Sequence, residues 1–574
     1  MVAFRTDWDT VDHPRFDLWT TANASEITPG VVSPFTGQLL NRHDAPAMRS
    51  LVEGYPSLDG VDLPDPPVAI LFGVFGGHLA LNSGFTVAAT SGLDPDLARR
   101  VLSAYAPDLD DPERFIVESD DDARATAVDR AERELGAAEV ALPLRLEDLI
   151  AERRSEAAER ITRLDPPAAW SRVQEITAQA MEEDLRRHWL MVIAANEHHT
   201  RLGDLLAAGG LDPSLAVDLT SGLGDLESSG PTMALHELAV LAREHPELGE
   251  VLRRGSTGAV LRVIEAPDGE AARRFSTAFT DFIRRWGYRC QGEVDPTHPD
   301  WEEQPGIPVS QIRSMIDLDD ERAPDRRLAA AVERREQTEV ATREALPDGL
   351  GAAFDDALAR TRHVARLRDL SKATWAMSAR RARAPYVALA RGLVREGLLE
   401  REDDLRFCLL HEVDQLTRDT IPFGLSDRLA RRRSQVDDAS RHRLPSHWTG
   451  RPDMIAATED DAVVDHLHGV GVSAGDGPVT GPARVVTSSE LGPTRPLEDG
   501  AVLVAPFTDA PWTPLFIPAG AVVVERGGLH SRASTVAREF GVPCVVMVDD
   551  ATRRINEGDT VTVDGSTGEI TIDG

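Results

Sequence analysis

The period of the hydrophobic pattern changes once along the chain, and that change requires two dissimilar parts. From about residue 95 to 440, Ala, Leu, Arg and Glu recur with a period near 3.6, as in 171-SRVQEITAQAMEEDLRRHWLMVIAANEHHTRLGDLLAA-208, 231-PTMALHELAVLAREH-245 and 356-DALARTRHVARLRDLSKATWAMSARRARAPYVALARGLVREGLL-399. This is the mark of long amphipathic helices. After 450 come short β-rich pieces, 479-VTGPARVV-486, 501-AVLVAP-506, 521-AVVVE-525, 543-PCVVMV-548 and 560-TVTVDG-565, parted by Gly and Asp turns, with one helix predicted over 531–540. Residues 1 to about 65 are punctuated by Pro29, Gly30, Pro34, Pro46, Pro56 and Pro64, which predicts short pieces and no long helix. The expected fold class is multidomain α + α/β. A turn-rich mixed lead over 1–95 packs on a large mainly helical domain over 96–450, and a linker over 451–468 leads to a compact α/β module over 469–574. Charge-dense segments around 106–125 and 314–348 read as surface connections or solvated helices.

At 574 residues the chain exceeds what a single hydrophobic core supports. The apolar run over 68–77 is too short to span a bilayer, and the first residues lack the basic flank and apolar stretch of a signal peptide, so a soluble, cytoplasmic protein is expected. Cys290, Cys408 and Cys544 have neither disulfide nor metal spacing and read as packing residues. A formal charge of −34 argues against nucleic acid or an anionic membrane as partner. Lysine occurs once among the 62 basic residues, at Lys372; all the others are arginine.

Several motifs are more specific than this. In the C-terminal part, 469-GVGVSAG-475, 481-GPARVV-486, 506-PFTDAPWTPLF-516 and 525-ERGGLHSRASTVAREFGVPCVV-546 resemble, nearly end to end, the swivelling histidine domain of the PEP-utilising enzymes, most closely the rifampin phosphotransferase branch. Near the start, 18-LWTTANASEITPGVVSPFT-36 is similar to the opening of that family's substrate-binding domain, and 287-GYRCQGEVD-295 and 362-RHVARLRDLSK-372 follow in the expected order. The resemblance implies a helical substrate-binding domain and a mobile phosphohistidine-type domain. Two departures qualify it. Members that phosphorylate their substrate carry an ATP-grasp domain ahead of the WTxAN segment, which here begins at Trp19; and where the family reads Gly-Gly-x-x-Ser/Thr-His, this chain reads Gly527-Gly528-Leu529-His530-Ser531-Arg532. The expectation is a chain without a nucleotide-binding half and with arginine in the carrier's place.

A neutral imidazole can accept and pass on a phosphoryl group, whereas a guanidinium has no lone pair with which to attack. Arg532 can instead join backbone N–H groups at a helix start in binding phosphate, diphosphate or carboxylate. His530 is the alternative carrier, displaced by two residues; its plainer reading is an exposed loop histidine. Arg368 and Lys372 lie four apart on one helix face around Asp369, and the resemblance points that face into the acceptor site. In a chain so biased to arginine, a lysine kept only for surface charge would be replaceable. Lys372 is therefore read as an electrostatic stabiliser or proton donor.

Glu26, Asn23 and Trp19 in the first motif, and Arg289 and Glu293 in GYRCQGEVD, are either polar groups of the site or ties between segments; the family usually has histidine where Tyr288 stands. Thr508 and Asp509 adjoin the Gly527–Ser531–Arg532 loop motif as orienting groups. The pair His198-His199 beside Glu197 suggests a metal, but adjacent helical residues point about 100° apart. The DLDD strings at 108–111 and 317–320 and Asp120-Asp121-Asp122 are set aside as expected in an acidic chain. No metal site is predicted, and no cofactor; Mg2+ enters only if the substrate carries a diphosphate.

Three functions compete. The first is a repurposed family member acting on a sizeable, apolar, natural-product-type small molecule, with or without a phosphate or diphosphate, by ATP-independent lyase, cyclase or condensation chemistry. The second is one subunit of a split phosphotransferase, phosphorylated on His530 by a separate ATP-grasp partner, an arrangement found within the wider family. The third is a non-catalytic small-molecule-binding protein, against which Lys372 counts. The sequence leaves the oligomeric state open.

Overall fold

The computed structural model describes residues 4–24, 27–52, 58, 61–64, 66–106, 109–156, 164–456, 465–473, 475, 477–487, 497, 500–528 and 531–573. The chain divides into two compact units that interleave in sequence. The first comprises Met1–Glu197, Gly292–His298 and Leu370–Glu459, and the second His198–Gln291, Pro299–Asp369 and Asp460–Gly574. Two long helices, Arg186–Ala208 and Gly351–Arg380, begin in one unit and end in the other.

In the first unit a small antiparallel sheet runs in the order Phe72–Phe75, His78–Asn82, Leu18–Thr20, His447–Thr449, so that Trp19 sits in register between Asn82 and Trp448. Trp19 is fully buried and packs edge-on against Phe75. One helical core of this unit joins Phe35, Trp170, Tyr386 and Leu389. The proline-rich start nevertheless contains a 19-residue helix, Pro34–Val52, which corrects the expectation of short pieces only. Pro34 occupies the first helical position, where no N–H is needed, and Ser33 Oγ accepts the Thr36 N–H at 3.2 Å. Pro46 lies inside the helix, and two residues before it the fully buried Asp44 anchors the helix tertiarily: its Oδ2 accepts the N–H groups of Ile70, Leu71 and Phe72 at 2.8, 2.9 and 3.1 Å. Tertiary bonds of this kind override a local propensity.

The second unit combines helices with an eight-stranded sheet, ordered His466–His468, Glu569–Asp573, Thr560–Val563, Val479–Val485, Val502–Ala505, Ala521–Val524, Cys544–Val546, Val470–Ser473. The fourth to seventh, Val479–Val485 to Cys544–Val546, are parallel neighbours, and Val502–Ala505 and Ala521–Val524 are buried at every position, as strands covered on both faces must be. The five β-rich sequence pieces correspond to five of these strands. The helix Arg532–Phe540 follows the glycine turn and packs against the sheet and the helix Pro324–Ala345. The latter is solvated along most of its length; only Pro324, Ala331 and Thr342 are buried in it. All three cysteines are free and buried, and burial pushes the Cys544 thiol up to about 12. Among the described residues no helix is long and apolar enough to cross a membrane.

Candidate functional site

The glycine turn and the helix after it form one hydrogen-bonded device. Gly527 adopts φ +152°, and a Cβ there would approach Ser531 Oγ to 3.0 Å. Ser531 is the N-cap: its Oγ accepts the Ser534 N–H at 3.3 Å, and its own N–H donates to the Gly528 carbonyl at 2.9 Å. Ser534 Oγ closes the loop on the same carbonyl at 2.6 Å. Serine at the cap satisfies one of the first turn's N–H groups and fixes the direction in which the helix starts. Arg532 is the first residue of the helix and is 7% exposed. Thr508 and Asp509, both buried, precede the 3-10 turn Ala510–Phe516, which packs on the Arg532–Phe540 helix. His530 and Glu26 lie outside the described residues.

Of the expected residues on the helix Gly351–Arg380, Arg368 and Asp369 belong to the second unit and Lys372 to the first. Asp369 Oδ2 accepts the Ser228 N–H at 3.0 Å. This bond fixes a loop, 220–229, that sequence reasoning passed over. Glu539, near the end of the helix Arg532–Phe540, holds the same loop by accepting the Leu223 and Gly224 N–H groups at 2.8 and 2.7 Å. Burial pushes Glu539 up to about 7, and the like charges of Asp369 and Asp225 add to the shift. Glu227, on the same loop, is ion-paired with Arg285; its burial raises it above the usual carboxylate range against the pull of Arg285 and Arg289. Arg289 is fully buried, with its guanidinium 4.7 Å from the Tyr288 ring centre. The second unit thus gathers Arg289, Arg368 and Asp369 with Glu227, Arg538 and Glu539, which were not singled out. The signal for the last two was available: 537-ARE-539 lies within the most specific motif in the chain, yet only its beginning carried a chemical expectation.

GYRCQGEVD does not act as one piece. Arg289 lies in the second unit and Glu293 in the first. Glu293 is buried beside Gly292, whose φ of +63° is a left-handed conformation that favours glycine and whose Cβ position lies a tight 3.2 Å from Pro29 Cδ. Asp295 anchors this loop, accepting from Thr36 Oγ1 at 2.7 Å and the Thr297 N–H at 2.8 Å. Burial opposes its ionisation, but His298 and these two donors hold it below the usual range. Lys372 is half-buried, one residue beyond Ser371, whose Oγ meets His188 Nδ1 at 2.9 Å. Asn23 sits in a left-handed turn at φ +63°.

Among the described residues no group of three or more His, Cys, Asp or Glu side chains is arranged to hold a metal ion. His199 belongs to the Arg538 neighbourhood: burial, and then the Arg538 charge, push it down to about 4. In the 317–320 string, Asp317 pairs with Arg253 at 2.8 Å and Asp320 with Arg243 at 3.2 Å at the surface.

Residues 187–369 match the rifampicin phosphotransferase fourth domain, and residues 497–568 match the PEP-utilising enzyme mobile domain. The first match ends at Asp369, where the second unit gives way to the first. A rifampicin phosphotransferase of Streptomyces sviceus is 32% identical over 380 residues, 65% of this chain and 42% of that protein. One from Bacillus subtilis is 26% identical over 377 residues, with the same coverage of 65% and 42%. An uncharacterised protein of Mycobacterium tuberculosis is 30% identical over 402 residues, 67% of this chain and 42% of its own length. The chain therefore spans less than half the length of the relatives it matches.

Proposed function

We propose, from the premise that this is a rifampicin phosphotransferase-like chain with a PEP-utilising mobile domain, that its mobile domain binds an anionic group rather than carrying a phosphoryl group. The observation that supports this is Arg532 itself, seated at the first position of a helix whose start is fixed by the Ser531 cap. An arginine there adds a planar fork of donors to the positive end of the helix dipole. It has no lone pair for phosphoryl capture. The reading is an enzyme acting on a sizeable, apolar, natural-product-type small molecule with an anionic group, by lyase, cyclase or condensation chemistry that does not pass through a phosphorylated residue 532. Lys372 is assigned the role of electrostatic stabiliser or proton donor, since no other lysine is present to share it.

The test is selective binding. Farnesyl diphosphate and farnesol share an apolar chain and differ in charge, so calorimetry with both isolates the anion's contribution. Wild type prefers the diphosphate, and Arg532→Gln loses that preference by about ten- to a hundredfold while its affinity for the alcohol stays as it was. Equal affinity of wild type for both ligands contradicts the reading. A phosphoryl group found on His530 would favour the split phosphotransferase instead.

A further inference from the structure

At the other end of the Arg532–Phe540 helix lies a cavity of about 180 Å3 that none of the expectations above includes. Its walls carry Arg334, Arg335 and Arg538 together with Asp218, Ser221 and Ser473. All six belong to the second unit. Arg334 and Arg335 come from the solvated helix Pro324–Ala345 and Asp218 from the short helix Leu215–Leu219. Arg538 comes from the mobile domain's helix.

Arg538 is the unusual member. It is 8% exposed, and among the described residues no carboxylate or other acceptor pairs with its guanidinium. The charge that acts on it most strongly is a second cation, Arg368, with the Cys544 thiol a smaller influence in the other direction. Burial, followed by Arg368, drives Arg538 down to about 10, and the imidazole that faces it, His199, is held neutral. Glu539 is turned to the 222–224 loop and is engaged there. A guanidinium buried without a counter-charge is a large uncompensated penalty. The other two arginines are partly engaged: Arg335 donates to the Gly222 carbonyl and meets Glu336 at 3.5 Å, and Arg334 feels Asp218. Ser221 and Ser473 donate to the Val217 and Ala537 carbonyls and so contribute no protons to the cavity. The C-terminal end of a helix offers no N–H groups either. Attraction in this cavity therefore comes from guanidinium forks, which suit a tetrahedral oxyanion.

We propose that the cavity walled by Arg334, Arg335 and Arg538 is a binding site for phosphate, free or as a phosphomonoester, which supplies the missing counter-charge and joins the mobile domain's helix to Leu215–Leu219 and Pro324–Ala345. This site is separate from the N-terminal end of the same helix. Asp218, the acid in this wall, has its charge opposed by burial and drawn on by Arg334.

The experiment is calorimetry at constant ionic strength on the full chain carrying Arg532→Gln, which silences the N-terminal anion site, with inorganic phosphate and glycerol 3-phosphate as separate probes. One saturable site is expected, and the tighter probe identifies the source of the phosphate. Adding Arg538→Met, which keeps the stem's volume, weakens binding by about ten- to a hundredfold. Without phosphate this variant melts no lower than its parent, because it removes an uncompensated charge; a merely structural arginine would show the reverse. Arg334→Gln gives a smaller loss of affinity. No saturable binding, or binding untouched by Arg538→Met, overturns the proposal. Because every arm lacks Arg532, failure here leaves the reading of that residue standing.

Discussion

Asp369 Oδ2 accepts the backbone N–H of Ser228 at 3.0 Å, in a place where both residues are buried. A helix position first noticed for its charge is thus an acceptor for a loop that the mobile domain's Glu539 also holds. Asp369→Ala leaves the Ser228 N–H buried without an acceptor, which destabilises the second unit by about 1–3 kcal/mol. Hydrogen exchange should quicken in peptides covering 222–230. Asp369→Asn keeps an acceptor oxygen and should retain most of the protection.

Glu539 makes the second unit's stability depend on pH in a defined direction. Its carboxyl is raised to about 7 in the folded chain from an ordinary value of 4.5. The folded state therefore holds a proton that the unfolded state has released, and the stability this contributes is fully present below about pH 4.5 and lost as pH rises through 7. Glu539→Gln removes the ionisation. In denaturant titrations between pH 5 and 8 it flattens the slope of the second unit's transition, whereas Asp44→Asn, which removes another carboxyl raised to about 7, flattens that of the first.

The first unit contains an ion pair of opposite sign. Arg432 Nη1 donates to Glu412 Oε2 at 2.6 Å, with both side chains almost wholly buried. Burial opposes the charge on Glu412, but Arg432, the Leu409 N–H and Arg428 hold it below the usual range. Its contribution is present above the ordinary carboxylate value and is lost as pH falls through the depressed one. Glu412→Ala leaves Arg432 with only the Phe407 carbonyl and the more distant Asp7 as partners and destabilises by about 3 kcal/mol. Glu412→Met combined with Arg432→Met restores much of that loss, as equilibrium unfolding in urea would record.

Most of the second unit's sheet was legible because its strands are runs of valine bounded by glycine, and the helix over 531–540 because it follows the Gly527-Gly528 turn. The helix Pro34–Val52 was not. Its prolines argue locally against it, and the three N–H groups that Asp44 accepts come from residues 26 to 28 positions away. The interleaving of the units was equally hidden: GYRCQGEVD reads as one motif, but its arginine and its second acid serve different cores. Arg538 escaped notice for another reason. In sequence it is one of many arginines; only its place beside Arg368 and in the wall of a cavity gives it meaning.

The central claim is that the mobile domain does not carry a phosphoryl group. Incubation with phosphoenolpyruvate or ATP and a free ATP-grasp protein, followed by mass spectrometry at neutral pH of the peptide containing residues 527–532, tests it directly. Wild type should show no acid-labile gain of about 80 Da, the mass of a phosphoryl group, and Arg532→His should acquire one. A wild-type peptide that gains this mass, and loses the gain in His530→Ala, would contradict the account.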